Sequence, residues 1–382
     1  MPPATLSPES LRIMRLAVLG SISILPLLIL PTMVGALVDY AGFSEARAGW
    51  AAAAGGAGGA LAAIAIALRI RHLDPHRLAI VGLITLAVFD TASMFAAGAS
   101  YPLFLAARVL AGIGGAAAYA AVMASYAELP NSERGYGAFV MLQFTLSALG
   151  LYALPLLLPE IGVTGLFLGM AACALLGLTQ VRPVVHRAAI NNGETIEIRM
   201  LVRPAAVLVM LGIGLFEAAN NMHFTYADRI GIDRGLELTT VGEILGISTV
   251  IGIPAAFAVV WLGDRYGEAK PIAAALATAI AGLGLLLWSD SPVTYVTAMC
   301  LLSIAWAFGL PYFQAFEARL DPGGSVVVAG GFFTAAGAIL GPALAAMLVM
   351  PGEYSGVLGV AAGIYVVVGV LVGGAARFSV KT

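Results

Sequence analysis

Long apolar blocks separated by short polar segments run along the whole chain. Twelve blocks can be marked, at roughly 13–38, 46–69, 77–98, 101–127, 135–158, 161–181, 203–228, 238–262, 270–288, 291–318, 325–349 and 354–376. A helix needs about 20 apolar residues to cross a lipid bilayer. The pattern therefore predicts an all-α membrane protein with twelve transmembrane helices, whose many small residues we expect to pack helices closely together.

A hydrophilic stretch after the sixth block divides the chain into two halves. We expect an N-terminal six-helix bundle at residues 1–181, a cytoplasmic inter-bundle loop at 182–202 and a C-terminal six-helix bundle at 203–382. The halves repeat some features weakly, such as a basic residue in matching loops, Arg77 and Lys270. Pseudo-symmetric halves with a site near the bilayer midplane are typical of secondary transporters.

The composition supports a membrane protein and argues against several other functions. Hydrophobic residues make up 60% of the chain and charged residues 10%, whereas soluble domains have about 25% charged residues. The sequence has no GxxxxGK[ST] phosphate loop, no zinc-ligand spacing and no concentrated basic patch. We therefore expect no cofactor, no metal site, no nucleic-acid partner and no transport driven by ATP hydrolysis within this chain.

Basic residues lie mostly in the loops on one side of the predicted spans. With both termini in the cytoplasm, Arg47, Arg229 and Arg234 fall outside and Arg108 falls within a span, while the rest of the 19 Lys and Arg residues lie inside. Cytoplasmic loops carry an excess of Lys and Arg. The pattern predicts a multi-pass protein of the plasma membrane, the inner membrane in a bacterium, with cytoplasmic N- and C-termini.

Glu217 is a carboxylate near the middle of the seventh apolar block. A charged side chain at this depth costs about 3 kcal/mol on insertion scales and usually serves an ion path, a polar cavity or a buried partner. Glu217, Asn220, Asn221 and Phe224 share one helical face. We predict that this face lines a central cavity and binds substrate, protons or both. The alternative is a hydrogen bond from Glu217 to a neighbouring helix.

Two motifs resemble those of the major facilitator superfamily of transporters. The loop that begins Gly263-Asp264-Arg265-Tyr266-Gly267 and continues to Lys270 is similar to the superfamily's GxxxDRxGRR motif. Arg108 with Gly112 and Gly114 resembles its RxxxGxG pattern. The resemblance implies two six-helix bundles that work by alternating access. It also implies a gating role for Asp264, Arg265, Gly267 and Lys270, and a link between Arg108 and proton transfer.

The same resemblance implies that the first, fourth, seventh and tenth spans line the cavity. Polar or aromatic residues deep in the fourth and tenth spans are therefore candidates for binding, namely Tyr119, Trp306 and Gln314. Gln143, deep in the fifth span, is a further candidate. For each of them the alternative is packing or anchoring at the membrane interface.

Asp90 and Arg108 lie at similar depth in consecutive spans. Counted from the outer ends, they are about 12 Å and about 10 Å deep at 1.5 Å per residue. We predict that they pair. The pair is either a static ion pair that orders the bundle, or a proton-sensitive pair or anion site.

The remaining titratable residues receive more ordinary interpretations. His223 lies near the outer surface, where we favour a structural hydrogen-bond donor over a coupling residue. An outer charged cluster follows the seventh span, and we interpret it as solvated loop charge; it comprises Asp228, Arg229, Asp233, Arg234, Glu237 and Glu243. Charges near the inner ends of spans, such as Glu317 and Arg319, resemble gate residues.

The sequence predicts a proton-coupled secondary transporter that works as a monomer in the lipid bilayer. Its substrate is expected to be a small organic solute, with organic anions among the candidates. The fifth span lacks the Gly-Pro signature of drug/proton antiporters, at Leu149–Pro155, which favours uptake by symport. A passive facilitator and a proton-antiport exporter of the same fold are the alternatives. We expect no enzyme, because no convergent nucleophile or metal-ligand motif is present.

Overall fold

The computed structural model describes residues 8–69, 73–129, 132–186, 198–321 and 324–379, and these are almost entirely helical. The first half contains α1 (Pro8–Ser23), α2 (Leu25–Leu28), α3 (Leu30–Ala41), α4 (Glu45–Arg69), α5 (Pro75–Ala99), α6 (Tyr101–Ala127) and α7 (Ser132–Gly177). The second half contains α8 (Ile198–Leu201), α9 (Pro204–Thr225), α10 (Ala227–Asp233), α11 (Leu238–Leu262), α12 (Ala269–Trp288), α13 (Pro292–Leu320), α14 (Ser325–Leu348) and α15 (Ser355–Ser379).

The helices accommodate the twelve predicted spans. Ten of the described helices are long and apolar enough to cross a bilayer. One of them, α7, has 46 residues and would be about 69 Å long if straight, which is enough for two spans. It is divided at Gly162, whose φ of 57° and ψ of −167° are not helical. The consecutive helices α1, α2 and α3 form one further, broken span.

The first span is interrupted just before each of its two prolines. Ile24 and Ile29, which separate the three helices, both have a φ of −114°. Pro26 and Pro31 lie in the first turn of the helices that follow. Because proline lacks an N–H group and fits the first turn of a helix, the helix restarts at each proline. By contrast, Pro311 lies inside the continuous helix α13.

Glycines bring neighbouring helices of the first half into close contact. Gly112 of α6 packs against the backbone of Gly55 in α4, and Gly114 packs against the backbone of Gly82 in α5. A Cβ atom at either motif glycine would overlap these backbone atoms. The packing role that small residues have in membrane helices therefore applies to both.

Two helix pairs connect the halves. Helix α4 packs on α14, where Gly56 contacts Ile339, and α7 packs on α11, where Gly242 contacts Leu151 and Pro155. Helix α3 also contacts α9 and α10. We name the ends of the bundle after the predicted orientation, so that α3 and α10 meet at the outer end. The predicted inter-bundle loop falls partly outside the described residues.

Candidate functional site

A cavity of about 220 Å³ lies between the halves, near the middle of the bundle. The first span and α7 form one wall, and α9, α11, α13 and α14 form the other. The aliphatic part of the lining consists of Ile24, Leu27, Leu28, Leu245, Met299, Leu302 and Ala338. Amide and hydroxyl groups come from Gln143, Ser147, Asn220, Asn221, Ser248, Thr249 and Ser303. The cavity is therefore amphipathic.

Glu217 supplies the one acidic group among the described lining residues, which include no Lys or Arg. Its carboxylate is buried and accepts hydrogen bonds from Trp306 Nε1 at 2.8 Å and from Asn221 Nδ2 at 3.2 Å. Such bonds to a charged acceptor are stronger than those between neutral groups. Glu217 therefore lines the cavity and also accepts a hydrogen bond from a neighbouring helix.

The predicted face of α9 is turned into the cavity. Glu217, Asn220, Asn221 and Phe224 all line it, as do Gln143 of α7 and Trp306 of α13. The ring of Trp306 lies 6.0 Å from that of Phe144, between centroids, so one aromatic pair joins the two halves across the cavity. That these residues bind substrate or protons stays a prediction.

Asp90 and Arg108 form the predicted pair, but away from the cavity. Arg108 Nη1 donates to Asp90 Oδ1 at 2.9 Å, and the two side chains are 3% and 1% exposed. The guanidinium also lies over the ring of Phe167, 5.2 Å from its centroid. Both residues are enclosed by α5, α6 and α7 of the first half. This enclosure favours the static ion pair, while a functional role stays a prediction.

The expectation that the fourth span lines the cavity needs correction. Helix α6 contributes no residue to the lining, because its glycine-rich surface is packed against α4 and α5. Tyr119 of α6 packs against Phe139, with ring centroids 5.9 Å apart. Gln314 of α13 is exposed and also lies outside the lining. The fifth and eighth spans line the cavity instead, through α7 and α11.

The motif loop after α11 lies at the inner end of the second half. Asp264, Arg265 and Lys270 are exposed there. Gly267 has a φ of 65°, a conformation that favours glycine, and its N–H donates to the carbonyl of Asp264 at 2.9 Å. The positive φ explains why a glycine occupies this position. The gating role of the loop stays a prediction.

An ion pair next to this loop was not anticipated. Arg319 Nη2 and Glu268 Oε2 lie 2.6 Å apart as an ion pair, and Glu268 is nearly buried. Glu317 is buried too, against Gly330 of α14. Arg71, which stands in the first half where the motif has its aspartate, lies outside the described residues.

Five residues tie the halves together at the outer end. Arg229 Nη1 donates to Asp39 Oδ2 at 2.6 Å, and the Tyr226 hydroxyl donates to the carbonyl of Glu45 at 2.8 Å. The Tyr354 hydroxyl donates to the carboxylate of Glu45. Asp39 and Glu45 belong to the first half and the other three to the second. We call these five residues the outer lock.

The interpretation of the outer charged cluster as solvated loop charge is wrong for two of its members. Asp228 is 2% exposed, and the side chain of Arg229 is 13% exposed. Burial raises the pKa of the Asp228 carboxyl to about 8, although the neighbouring Arg229 acts in the opposite direction. The remaining carboxylates of the cluster are exposed as expected, namely Asp233, Glu237 and Glu243.

His223 also differs from its interpretation. It lines the cavity and is 3% exposed, and neither ring nitrogen has a hydrogen-bond partner among the described residues. A structural donor would have such a partner. Sequence reasoning also missed Ser248 and Thr249, whose hydroxyls donate to the carbonyl of Leu245 at 2.9 and 2.8 Å. The sequence feature that could have identified them is the presence of two adjacent hydroxyl residues within an apolar span.

Comparisons with known proteins cover most of the chain. The sequence profile of the Major Facilitator Superfamily matches residues 16–338. A chloramphenicol resistance protein from Streptomyces lividans is 28% identical over 321 residues, which are 78% of this chain and 79% of the relative.

Two solved structures are similar at low sequence identity. A mutant of the nucleoside transporter NupG has a TM-score of 0.78 at 14% identity and covers 95% of this chain and 99% of its own. A bacterial homologue of the human lysosomal transporter Spinster, inward-facing and unoccupied, has a TM-score of 0.68 at 13% identity and covers 98% and 97%. These two support the fold alone. With the family profile matching most of its length, the chain belongs to the Major Facilitator Superfamily of transporters.

Proposed function

We propose that the protein is a proton-linked secondary transporter of small organic molecules, and not an enzyme. The observation that carries the proposal is Glu217, a single carboxylate held by neutral donors in an amphipathic cavity between the halves. Secondary transporters bind substrate and coupling ions near the midplane, at the interface of their repeats. An ionisable residue in such a cavity is normally functional.

The substrate we propose is a neutral or cationic amphiphile. In the described lining, Glu217 faces no Lys or Arg that would attract an anion. The aliphatic and aromatic side chains suit an apolar body, and the amides and hydroxyls suit a few polar groups. A described lining with one carboxylate and no Lys or Arg disfavours an organic anion, which the sequence had left as a candidate substrate.

We infer that the described state is open toward the cytoplasm. The cross-half contacts given above lie at the outer end, in the outer lock, or near the centre, as at Gly56. Transport then requires the halves, residues 1–181 and 203–382, to rock until the lock opens and the inner ends close. The motif residues Asp264, Arg265 and Lys270 are suited to that inner closure. A single chain contains all of these parts, so we propose a monomer.

Glu217 offers a simple exchange of substrate for a proton. Its carboxylate attracts donor groups on a substrate that enters from the cytoplasm. A proton arriving from outside removes the negative charge and favours release. The Asp90–Arg108 pair lies off this path, and we assign it a supporting role.

An exchange in which the substrate enters from the cytoplasm and a proton arrives from outside would export the substrate across the plasma membrane. The relative named as a chloramphenicol resistance protein supports this direction, while the missing Gly-Pro signature in the fifth span favoured uptake. We propose export, because a relative that matches along most of the chain is a broader observation than one absent motif.

The experiment uses proteoliposomes loaded with a pH-sensitive dye and a panel of amphiphiles that begins with chloramphenicol. The intact protein is compared with Glu217→Gln, which removes the charge and keeps the shape. Glu243→Gln is the matched control, because Glu243 is exposed and outside the cavity lining. We expect solute-dependent proton flux in the intact protein and the control, and none in Glu217→Gln.

Two other results would change the proposal. Solute flux without proton movement, equal in all three proteins, would indicate a passive facilitator. No flux of any panel member in the intact protein would contradict transport of amphiphiles.

A further inference from the structure

His223 is a second polar group of the cavity that the proton exchange does not use. It is buried, it lines the cavity, and both ring nitrogens lack a hydrogen-bond partner among the described residues. Most buried polar side-chain atoms in proteins have a partner. Both nitrogens are themselves enclosed in the described state, so an unpaired imidazole beside the cavity would turn its ring to meet a molecule inside it.

The position of His223 on α9 separates it from Glu217 along the cavity. Six residues of helix place His223 about 9 Å closer to the outer end, at 1.5 Å per residue. Around the helix it lies about 60° from Asn220, at 100° per residue, so both side chains can reach one space. Glu217 and His223 thus offer polar contacts at two depths, with Leu245 and Leu302 among the apolar lining.

We propose that His223 binds a hydroxyl or amide group of the transported molecule while Glu217 binds another of its hydrogen-bond donors. This inference rests on the proposed function and narrows its substrate class. A neutral imidazole has one N–H donor and one acceptor nitrogen, and hydroxyl and amide groups both donate and accept. The substrate is then an uncharged or cationic amphiphile that offers a hydrogen-bond donor to Glu217 and a hydroxyl or amide group to His223.

Binding of chloramphenicol to the purified protein in lipid nanodiscs tests the assignment, because this probe carries hydroxyl and amide groups on an aromatic body. His223→Leu removes both nitrogens at similar volume, and His223→Gln restores a donor and an acceptor. His186→Leu is the control, because the side chain of His186 is 74% exposed. We expect about a tenfold weaker affinity in His223→Leu, as for one lost hydrogen bond. His223→Gln should recover most of it, and the control should equal the intact protein.

A second measurement does not depend on the leucine variant folding. The chain has four histidines, and the ring signal of His223 in an NMR spectrum is identified by its absence from His223→Gln. We expect this signal to move when chloramphenicol is added. If the intact protein binds the probe while its affinity is unchanged by His223→Leu and the ring signal stays in place, the assignment of His223 is wrong and the proposed function stands. If the intact protein binds no member of the amphiphile panel, the proposed function and this inference both fail.

Discussion

Asp228 carries a buried carboxyl group where the halves meet at the outer end. Its Oδ1 accepts from the N–H of Arg229 at 2.7 Å, while Oδ2 has no partner among the described residues and lies against Gly35 of α3. The charged groups nearby are Arg229 and Asp39, which form the ion pair of the outer lock. When the outer end opens, water would reach this carboxyl and its pKa would fall toward its ordinary value.

Closure of the outer end is therefore expected to weaken as pH rises. The pKa of Asp228 is about 8 in the closed state against an ordinary 3.8, so closing takes up a proton between these values. The favourable contribution is complete below about pH 4 and is lost as pH rises through about 8. One proton changes the closed-to-open ratio by at most about tenfold per pH unit. Distances between spin labels at Ser44→Cys and Glu353→Cys, with Cys173 and Cys300 replaced by alanine, would report the ratio.

Asp228→Asn should remove this pH dependence, since an amide does not titrate. Asp233→Asn, at an exposed position of the same helix, should keep it. A variant at Asp228 with the pH dependence of the intact protein would mean that another group takes up the proton.

Local spacing explains which of these residues the sequence could identify. Glu217 and Asn221 are four residues apart on one helix, so their shared face follows from helical periodicity. Arg229 and Asp39 are 190 residues apart, and their contact depends on how the two halves pack. Single-sequence periodicity contains no information on such a pairing, so the outer lock was not predicted.

Among the helices, α9 and α14 approach each other through Gly337. A Cβ atom at Gly337 would overlap the carbonyl oxygen of Gly214 and press on the Cβ of Glu217. This contact fixes the distance between α14 and the part of α9 that holds the cavity carboxylate.

Gly337→Ala is expected to destabilise the protein by about 1–3 kcal/mol, the usual cost of overpacking a tight contact, and to lower transport. Thermal unfolding in detergent and the proteoliposome assay would measure the two effects. Gly331→Ala on the same helix is the control, because no heavy atom lies within 4 Å of its added Cβ. Equal stability of the two variants would show that α14 can move away from α9 at little cost.

The sequence predicted the elements better than it predicted which face of each turns inward. Apolar blocks located the spans, because this signal is local. Helix α6 was expected to line the cavity, and its small residues pack against α4 and α5 instead. A helix that is apolar on all sides has no polar stripe to indicate its orientation, so this error could not be avoided from the sequence alone.

For the whole molecule, the proposed alternating access requires the contacts of the outer lock to break during transport. Its five residues come from both halves and include one ion pair, between Arg229 and Asp39. The pair is only partly exposed, at 13% and 33% of the two side chains, so solvent screens it incompletely. Its loss should therefore shift the balance between the two states of the transporter.

Arg229→Asp is expected to favour the state open to the outside, because it replaces an attraction to Asp39 by a repulsion. A pair of this exposure contributes about 1 kcal/mol, so we expect a shift of several-fold in the closed-to-open ratio. The measurement is labelling of Ser303→Cys in the cavity by a membrane-impermeant maleimide added outside, after Cys173 and Cys300 are replaced by alanine. Labelling should accelerate in Arg229→Asp and return toward the original rate when Asp39→Arg is added.

Arg47→Asp is the control, since Arg47 contacts Tyr101 within the first half and its reversal should leave the rate unchanged. If the double variant labels as fast as Arg229→Asp alone, the ion pair does not hold the halves together, and the tyrosine contacts to Glu45 would have to account for closure.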